Sequence, residues 1–426
     1  MRASRAAALA ALVLTAGTVL PTAPAALAAQ ATAAQAGPAG PFYSISPVRV
    51  LDTRAGVGAT AGPIGPDGVI TLNITQAIHA DHTPTAVVMN LTAVDPTGDS
   101  YLTAYPGGTE RPTASTLNVS AGRNVTTNRV TVQVAPDGTV SLYNHVGSVH
   151  LVADVQGIYQ ARGSDTNPGS TYLPGKPARL LDTRTAIGDR QGPVGAGADK
   201  AIAADVSSVT SPTDGDTELV LQLTATEATQ DSHVKAYAGG PWSRIPETSD
   251  LNFAAGQTVT NLTSVDVGRD GLGLYNNAGQ VNLVVDYVGR FRHVASHPEA
   301  ADHGLFVPTP PTRVLDTRTG LGNGGPAVRL GPGGNMMVKV TGLPGAPANA
   351  SAVVLNLTGT NATGDGHVTA YRYRDDRPNT SSLNYRAGRD VSSMTVVPVD
   401  SEGFIELYNP HDAVDLVADV EGFYTS

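Results

Sequence analysis

Six residues, Arg49-Val-Leu-Asp-Thr-Arg54, return as Arg179-Leu-Leu-Asp-Thr-Arg184 and again as Arg313-Val-Leu-Asp-Thr-Arg318. Further markers follow in fixed order: Val87 to Thr92, Val220 to Thr224 and Val353 to Thr358, then Leu-Asn at Leu117, Leu251 and Leu383, then Leu-Tyr-Asn at Leu142, Leu274 and Leu407. Each copy closes on a similar segment, Leu151 to Tyr159, Leu283 to Phe291 and Leu416 to Tyr424. A chain with this self-similarity folds as three copies of one unit, each of about 110 residues, which is an ordinary domain size.

Within a copy the hydrophobic period is two. Ile70, Leu72 and Ile74 alternate with Val69, Thr71 and Asn73, as do Met336, Val338 and Val340 with Met337, Lys339 and Thr341, which is the pattern of half-buried strands. Pro136-Asp-Gly138 and Arg269-Asp-Gly271 separate apolar runs where a hairpin needs residues tolerant of positive φ. No sustained helical stripe interrupts them. The expected fold is all-β: three tandem antiparallel β-sandwich or jelly-roll-like modules behind a signal peptide. The expected boundaries are a signal peptide at 1–29, a flexible stalk at 30–41, modules at 42–159, 173–291 and 305–426, and linkers at 160–172 and 292–304. The linkers suggest three beads on a string.

The leader carries Arg2 and Arg5, an apolar run from Ala6 to Val19 and Ala26-Leu27-Ala28. That is the pattern of a Sec-type secretory signal, so the expected location is extracellular, without membrane insertion. The absence of cysteine excludes disulfides, zinc-thiolate sites and a cysteine nucleophile. Asp and Glu number 37 against 27 Lys and Arg, a net charge of −10. That balance argues against a nucleic-acid partner, which would need clustered cations.

The Arg-Val-Leu-Asp-Thr-Arg opening and the Val-Ala-Asp-Val-x-Gly-aromatic-Tyr closing resemble a repeat common in secreted actinobacterial proteins. That family's repeats occur alone, in tandem or beside hydrolases acting on the cell wall or other polymers, so the resemblance implies location and modularity but no reaction. The second module departs most, with Gln222 where the others have Asn90 and Asn356. If the modules bind something, it is the one expected to differ.

Strand alternation places Arg49, Leu51 and Thr53 on one face and Val50, Asp52 and Arg54 on the other. Charges on both faces need partners. Ion pairs are therefore expected among Arg49, Asp52, Arg54 and Asp154, among Arg179, Asp182, Arg184 and Asp286, and among Arg313, Asp316, Arg318 and Asp419. Three copies of a carboxylate active site in one chain would be unusual, so no catalytic residue and no cofactor is expected. Asp99, Asp231 and Asp365 persist in a short loop and read as turn-capping residues. A calcium loop would use Asp95 and Asp99, or Asn361 and Asp365, which is too few ligands. His293, His297 and His303 beside Glu299, and His79 with His82, have metal-like spacing but no counterparts in the other modules. Nine Asn-x-Ser/Thr sequons, Asn90 and Asn356 among them, read as incidental.

The segment after Tyr105, Tyr237 and Tyr371 varies while the framework repeats, and variable loops on a fixed scaffold are where binding resides. The candidate ligand contacts are Tyr105 and Arg111, then Tyr237, Trp242 and Arg244, then Tyr371, Arg372, Tyr373, Arg374 and Arg377. Trp stacks on sugars and Arg pairs with anions. The expected function is non-catalytic binding of polysaccharide or a cell-envelope component. The alternatives are an extracellular structural or adhesion protein acting through protein contacts, and an unrecognised hydrolase.

Overall fold

The computed structural model describes residues 35–426 except 123–124, 163–166, 189, 211–216, 241–242 and 268–270. The expected signal peptide, residues 30–34 and Trp242 lie outside the described residues. Module 1 contains β1 (Phe42–Asp52), β2 (Val69–Asn73), β3 (Ala86–Val94), β4 (Ser100–Pro106), β5 (Leu117–Val119), β6 (Val125–Gln133), β7 (Thr139–Asn144) and β8 (His150–Tyr159). Module 2 contains β9 (Ser170–Asp182), β10 (Ile202–Ala204), β11 (Thr217–Thr226), β12 (Ser232–Ala238), β13 (Leu251–Phe253), β14 (Val259–Asp266), β15 (Leu272–Asn276) and β16 (Asn282–His293). Module 3 contains β17 (Phe306–Asp316), β18 (Gly334–Lys339), β19 (Ala350–Thr360), β20 (Gly366–Arg372), β21 (Leu383–Tyr385), β22 (Val391–Pro398), β23 (Phe404–Asn409) and β24 (Asp415–Thr425).

In module 1 the hydrogen-bonded order is β1-β8-β3-β6 in one sheet and β2-β7-β4-β5 in the other. Every pairing is antiparallel, and only β4 and β5 are neighbours in both sequence and sheet. The chain thus crosses repeatedly between two facing sheets, which is jelly-roll topology. Modules 2 and 3 repeat it as β9-β16-β11-β14 over β10-β15-β12-β13 and β17-β24-β19-β22 over β18-β23-β20-β21. The alternation read at 69–74 ends one residue early. Asn73 accepts the Gln76 amide at 2.9 Å, starting a one-turn helix at Ile74–Ala77.

The repeated Arg-x-Leu-Asp motif is a β-bulge. Register slips between Arg49 and Leu51 and between Arg313 and Leu315, and the extra residue swings the arginine onto the side of the aspartate three positions on. Simple alternation therefore misassigned these faces. Arg49, Arg179 and Arg313 bind Asp154, Asp286 and Asp419 through two bonds each, the Nε–Oδ1 distances being 2.9, 2.8 and 2.9 Å. Arg54, Arg184 and Arg318 fold back on Asp52, Asp182 and Asp316 with Nε–Oδ1 distances of 2.9 Å each. The Arg54 hydrogen bonds pull Asp52 down to about 2, whereas burial raises Asp286 and Asp419 despite their arginines.

The modules are not beads on a string. The described residues, from 35 to 426, belong to one compact unit, and the contacts between modules run 1 to 2, 2 to 3 and 3 back to 1. Six aromatic residues from the opening and closing strands stack in alternating pairs: Phe42 on Phe291 at 4.4 Å, Tyr172 on Tyr424 at 4.2 Å and Phe306 on Tyr159 at 4.3 Å between ring centres. The closing glycine makes room for them. A Cβ on Gly157, Gly289 or Gly422 would stand 2.3, 2.2 or 2.4 Å from Phe42, Tyr172 or Phe306.

Strands β6, β14 and β22 each touch the other two, and around them runs a polar ring. Asn261 donates to Asn90 Oδ1 at 3.0 Å and Asn128 to Asn356 Oδ1 at 2.9 Å. At the remaining joint Gln222 donates to Ser393 Oγ at 3.0 Å. The longer glutamine meets the shorter serine, so the departure of module 2 is a length compensation inside the protein. Asn90 and Asn356 are 2% and 0% exposed, so their sequons are inaccessible in the fold.

The described residues of the expected stalk and linkers are parts of this ring. Gly37 N donates to Pro308 O at 2.9 Å, and Gly40 exchanges bonds with Phe306 at 3.0 and 2.9 Å. Residues 35–41 thus line the opening strand of module 3, just as Gly304 accepts from Tyr172 at 2.9 Å and Ser170 pairs with Phe42. A segment whose contacts are made by its backbone leaves no hydrophobic period in the sequence.

Candidate functional site

With one sheet of every module packed into the ring, binding chemistry falls to the other. In module 1 the alternation along β7 sends Val140 and Leu142 into the core and Ser141 and Tyr143 to the opposite face. The Arg111 guanidinium, from the loop between β4 and β5, lies 3.7 Å from the centre of the Tyr143 ring. The Tyr143 hydroxyl donates to Asp67 Oδ1 at 2.5 Å and meets His145 Nδ1 at 3.1 Å. Tyr101 from β4 packs on His145 at 4.7 Å. Burial and the Asp67 bond raise the Tyr143 phenol, so it stays protonated and acts as a platform rather than a nucleophile.

The same arrangement recurs. In module 3 Arg377 lies 3.8 Å over Tyr408 of β23, and His367 of β20 meets His411 at 5.0 Å. Burial pushes His367 down to about 4, so it is neutral at physiological pH. In module 2 the cation over Tyr275 is Lys235, 5.6 Å away, and its Nζ donates inward to Pro246 O at 2.7 Å. Tyr275 donates to Asn277 Oδ1 at 3.2 Å. Each module thus places a tyrosine at the same sheet position with a cation beside it, Tyr143 being buried under Arg111 while Tyr275 and Tyr408 are half-buried.

Module 3 adds more. Phe404, Glu406 and Tyr408 alternate as half-buried residues along β23. Tyr373 stands 6.1 Å from Phe404, and Lys339 lies 4.7 Å over that ring. Alongside runs a groove of about 800 Å³ between modules 2 and 3, lined by Lys176, Lys339, Arg372, Asp375, Asp400 and Glu402 among others. It is a polar channel beside the aromatic surface of Tyr373 and Phe404.

Of the loop residues read from sequence, Arg111 and Arg377 sit at this face, Arg372 lines the groove, and Arg244 is exposed in the corresponding loop of module 2. Arg374 pairs with Glu402 at 3.2 Å and lies 5.1 Å over Tyr373. Tyr105, Tyr237 and Tyr371 are 6%, 4% and 4% exposed, and Tyr143 is 3% exposed. The calcium reading also fails at its loops. Asp99, Asp231 and Asp365 accept the backbone N–H of Ala121, Ala255 and Ala387 at 2.8, 2.9 and 3.0 Å, and Asn361 donates to Asp415. No group of three potential metal-ligating His, Asp or Glu side chains occurs among the described residues, and none of their helices is long and apolar enough to cross a membrane.

Sequence reasoning missed Tyr143, Tyr275 and Tyr408, though Leu-Tyr-Asn stood out as a marker. The signal was available: in a strand whose leucine points inward, the adjacent tyrosine points out.

No family model matches this chain, and no curated protein matches it. Among solved structures, the N-terminal CBM22-1-CBM22-2 tandem domain of Paenibacillus barcinonensis Xyn10C is similar at 10% identity and a TM-score of 0.17, covering 62% of this chain and 100% of that one. A triple jelly-roll turret structure from an archaeal virus has 8% identity and a TM-score of 0.17, with 91% and 90% covered. The Sulfolobus turreted icosahedral virus structure has 8% identity and a TM-score of 0.16, with 90% and 91% covered. Likenesses this distant carry no functional argument, and the jelly-roll assignment rests on the strand order itself.

Proposed function

We propose that the protein is a non-catalytic extracellular binder of polysaccharide or another cell-envelope component, acting through the solvent-facing sheets of its three modules. The observation that carries this reading is the repetition of a tyrosine with an adjacent cation at the same sheet position in each module. Partly exposed aromatic faces such as Tyr275, Tyr373 and Phe404 take the apolar side of a sugar ring while flanking polar groups, the arginines over Tyr143 and Tyr408 among them, take its hydroxyls. The ring fixes the spacing of the three faces, so a repetitive polymer that engages one is presented to the next without the entropy cost of flexible linkers. The conserved carboxylates of the repeats pair with arginines or cap backbone amides, which supports a role without catalysis. The leader's charge and apolar pattern supports the extracellular setting.

The test is retention of the protein lacking residues 1–29 on insoluble peptidoglycan, chitin and cellulose, compared with Tyr275→Ala, Tyr408→Ala and Trp242→Ala. Retention on one polymer that falls with the tyrosine variants supports the reading. A folded protein that binds none of the three, or variants that bind as wild type does, would overturn it.

A further inference from the structure

Several arginines of this protein are held by carboxylates. Arg49, Arg179 and Arg313 hold a buried aspartate, Arg54, Arg184 and Arg318 fold onto the aspartate of their own motif, and Arg329 and Arg374 face Asp415 and Glu402 at 3.1 and 3.2 Å. Arg111 and Arg377 differ. Both are exposed, both hold the guanidinium carbon over a tyrosine ring at 3.7 and 3.8 Å, and neither has a carboxylate within ion-pair distance among the described residues. In module 1 the nearby carboxylate, Asp67, is engaged by the Tyr143 hydroxyl.

Stacking of this kind has a consequence. It restrains an exposed guanidinium, so part of the entropy of ordering a long side chain is settled before any ligand arrives. A planar fork of fixed donors matches a carboxylate or phosphate, which it binds through two charge-assisted hydrogen bonds. The protein's net charge of −10 supplies no long-range attraction for such a group, so recognition rests on these local contacts.

We infer that Arg111 and Arg377 are two anion-reading positions, and that the polysaccharide bound by the outer sheets carries acid groups along its length. The inference rests on the binding role proposed above and narrows its ligand class. Module 2 has no guanidinium at this place: its cation is the Lys235 amine, farther from the ring at 5.6 Å over Tyr275 and bound by the Pro246 carbonyl at 2.7 Å. The acid groups are therefore read at two of the three faces, with module 2 contributing a neutral aromatic contact.

Affinity electrophoresis of the protein lacking residues 1–29 tests this, in gels containing polygalacturonate, poly(glycerol phosphate) or dextran. The first two separate carboxylate from phosphate as the source of the anion, and dextran is the neutral control. The expected result is retardation by one or both acidic polymers and little by dextran. Arg111→Gln and Arg377→Gln should each weaken the affinity roughly tenfold, the loss of one charge-assisted contact, and the double variant by about 100-fold. Lys200→Gln, which removes an equal charge from an exposed pair with Asp199, should stay within about twofold, since a remote surface charge acts only through screened solvent. Circular dichroism of each variant separates lost binding from lost fold. Equal retardation by dextran, or a double variant that binds acidic polymer as wild type does, overturns the anion inference and leaves the general binding role standing. No retardation by any of the three, together with no retention on the insoluble polymers, overturns both.

Discussion

Gln222→Asn should damage one joint of the ring, and Ser393→Asn should repair it. Gln222 Nε2 reaches Ser382 O at 2.9 Å, Ser393 Oγ at 3.0 Å and Met394 O at 3.3 Å, all in buried surroundings. Asparagine is shorter by one C–C bond, about 1.5 Å, which takes the amide beyond hydrogen-bonding distance of these acceptors. Each buried polar group left without a partner costs about 1–3 kcal/mol, and both the shortened amide and the Ser382 carbonyl lose theirs, so the single variant should lose at least about 2 kcal/mol. Ser393→Asn alone places a larger side chain where the glutamine amide already sits, an overpacking worth about 1–3 kcal/mol. Together the two substitutions recreate the Asn–Asn pair present at the other joints, Asn90 with Asn261 and Asn356 with Asn128. The double variant should therefore recover to within about 1 kcal/mol of wild type, a coupling energy of at least about 2 kcal/mol opposing the single losses. Urea unfolding of the four proteins measures this cycle. Additive losses would show that the three joints are not equivalent and that the length compensation between Gln222 and Ser393 is coincidental.

Three other outcomes follow from the same structure. Arg313→Met leaves Asp419, which is 0% exposed, without its counter-charge, and should cost about 3–5 kcal/mol in urea unfolding; a loss below about 1 kcal/mol would contradict the pairing. Burial pushes Glu218 up to about 7 from an ordinary 4.5, so its contribution to stability is whole below pH 4.5, where folded and unfolded chains are both protonated. Between pH 4.5 and 7 only the unfolded chain ionises, and about 3 kcal/mol is lost. Glu218→Gln should flatten that limb, and thermal unfolding at pH 4.5, 6 and 8 that is unchanged relative to wild type would refute the assignment. Removing residues 30–41 deletes the backbone bonds of Gly37 and Gly40 to module 3 and should lower stability by about 2–3 kcal/mol, whereas a free stalk would cost nothing.

The strand content and the modules were legible because the repeat and the period of two are local. The ring was legible only in part. Val87 to Thr92 and Val353 to Thr358 read as apolar runs without alternation, the pattern of a strand covered on both faces, and β3 and β19 are buried along nearly their whole length. An asparagine in the middle of each run marked the polar joint, yet its partner lies 171 or 228 residues away. No pattern within one module could supply that pairing. Residues 30–41 read as a stalk because glycine, alanine and proline make no side-chain period, while the contacts seen there are mainly those of the backbone. At the candidate site the sequence reading named Arg111 and Arg377 from their loops but not Tyr143 and Tyr408, the rings they lie over, because a contact between a loop and a strand leaves no trace in alternation.

The claim that three repeats form one closed ring is tested most directly by differential scanning calorimetry of the protein lacking residues 1–29. A ring stabilised by joints between every pair of modules unfolds as one cooperative unit, so a single transition is predicted whose van't Hoff and calorimetric enthalpies agree. A calorimetric enthalpy about three times the van't Hoff value, or resolved transitions for separate modules, would contradict it.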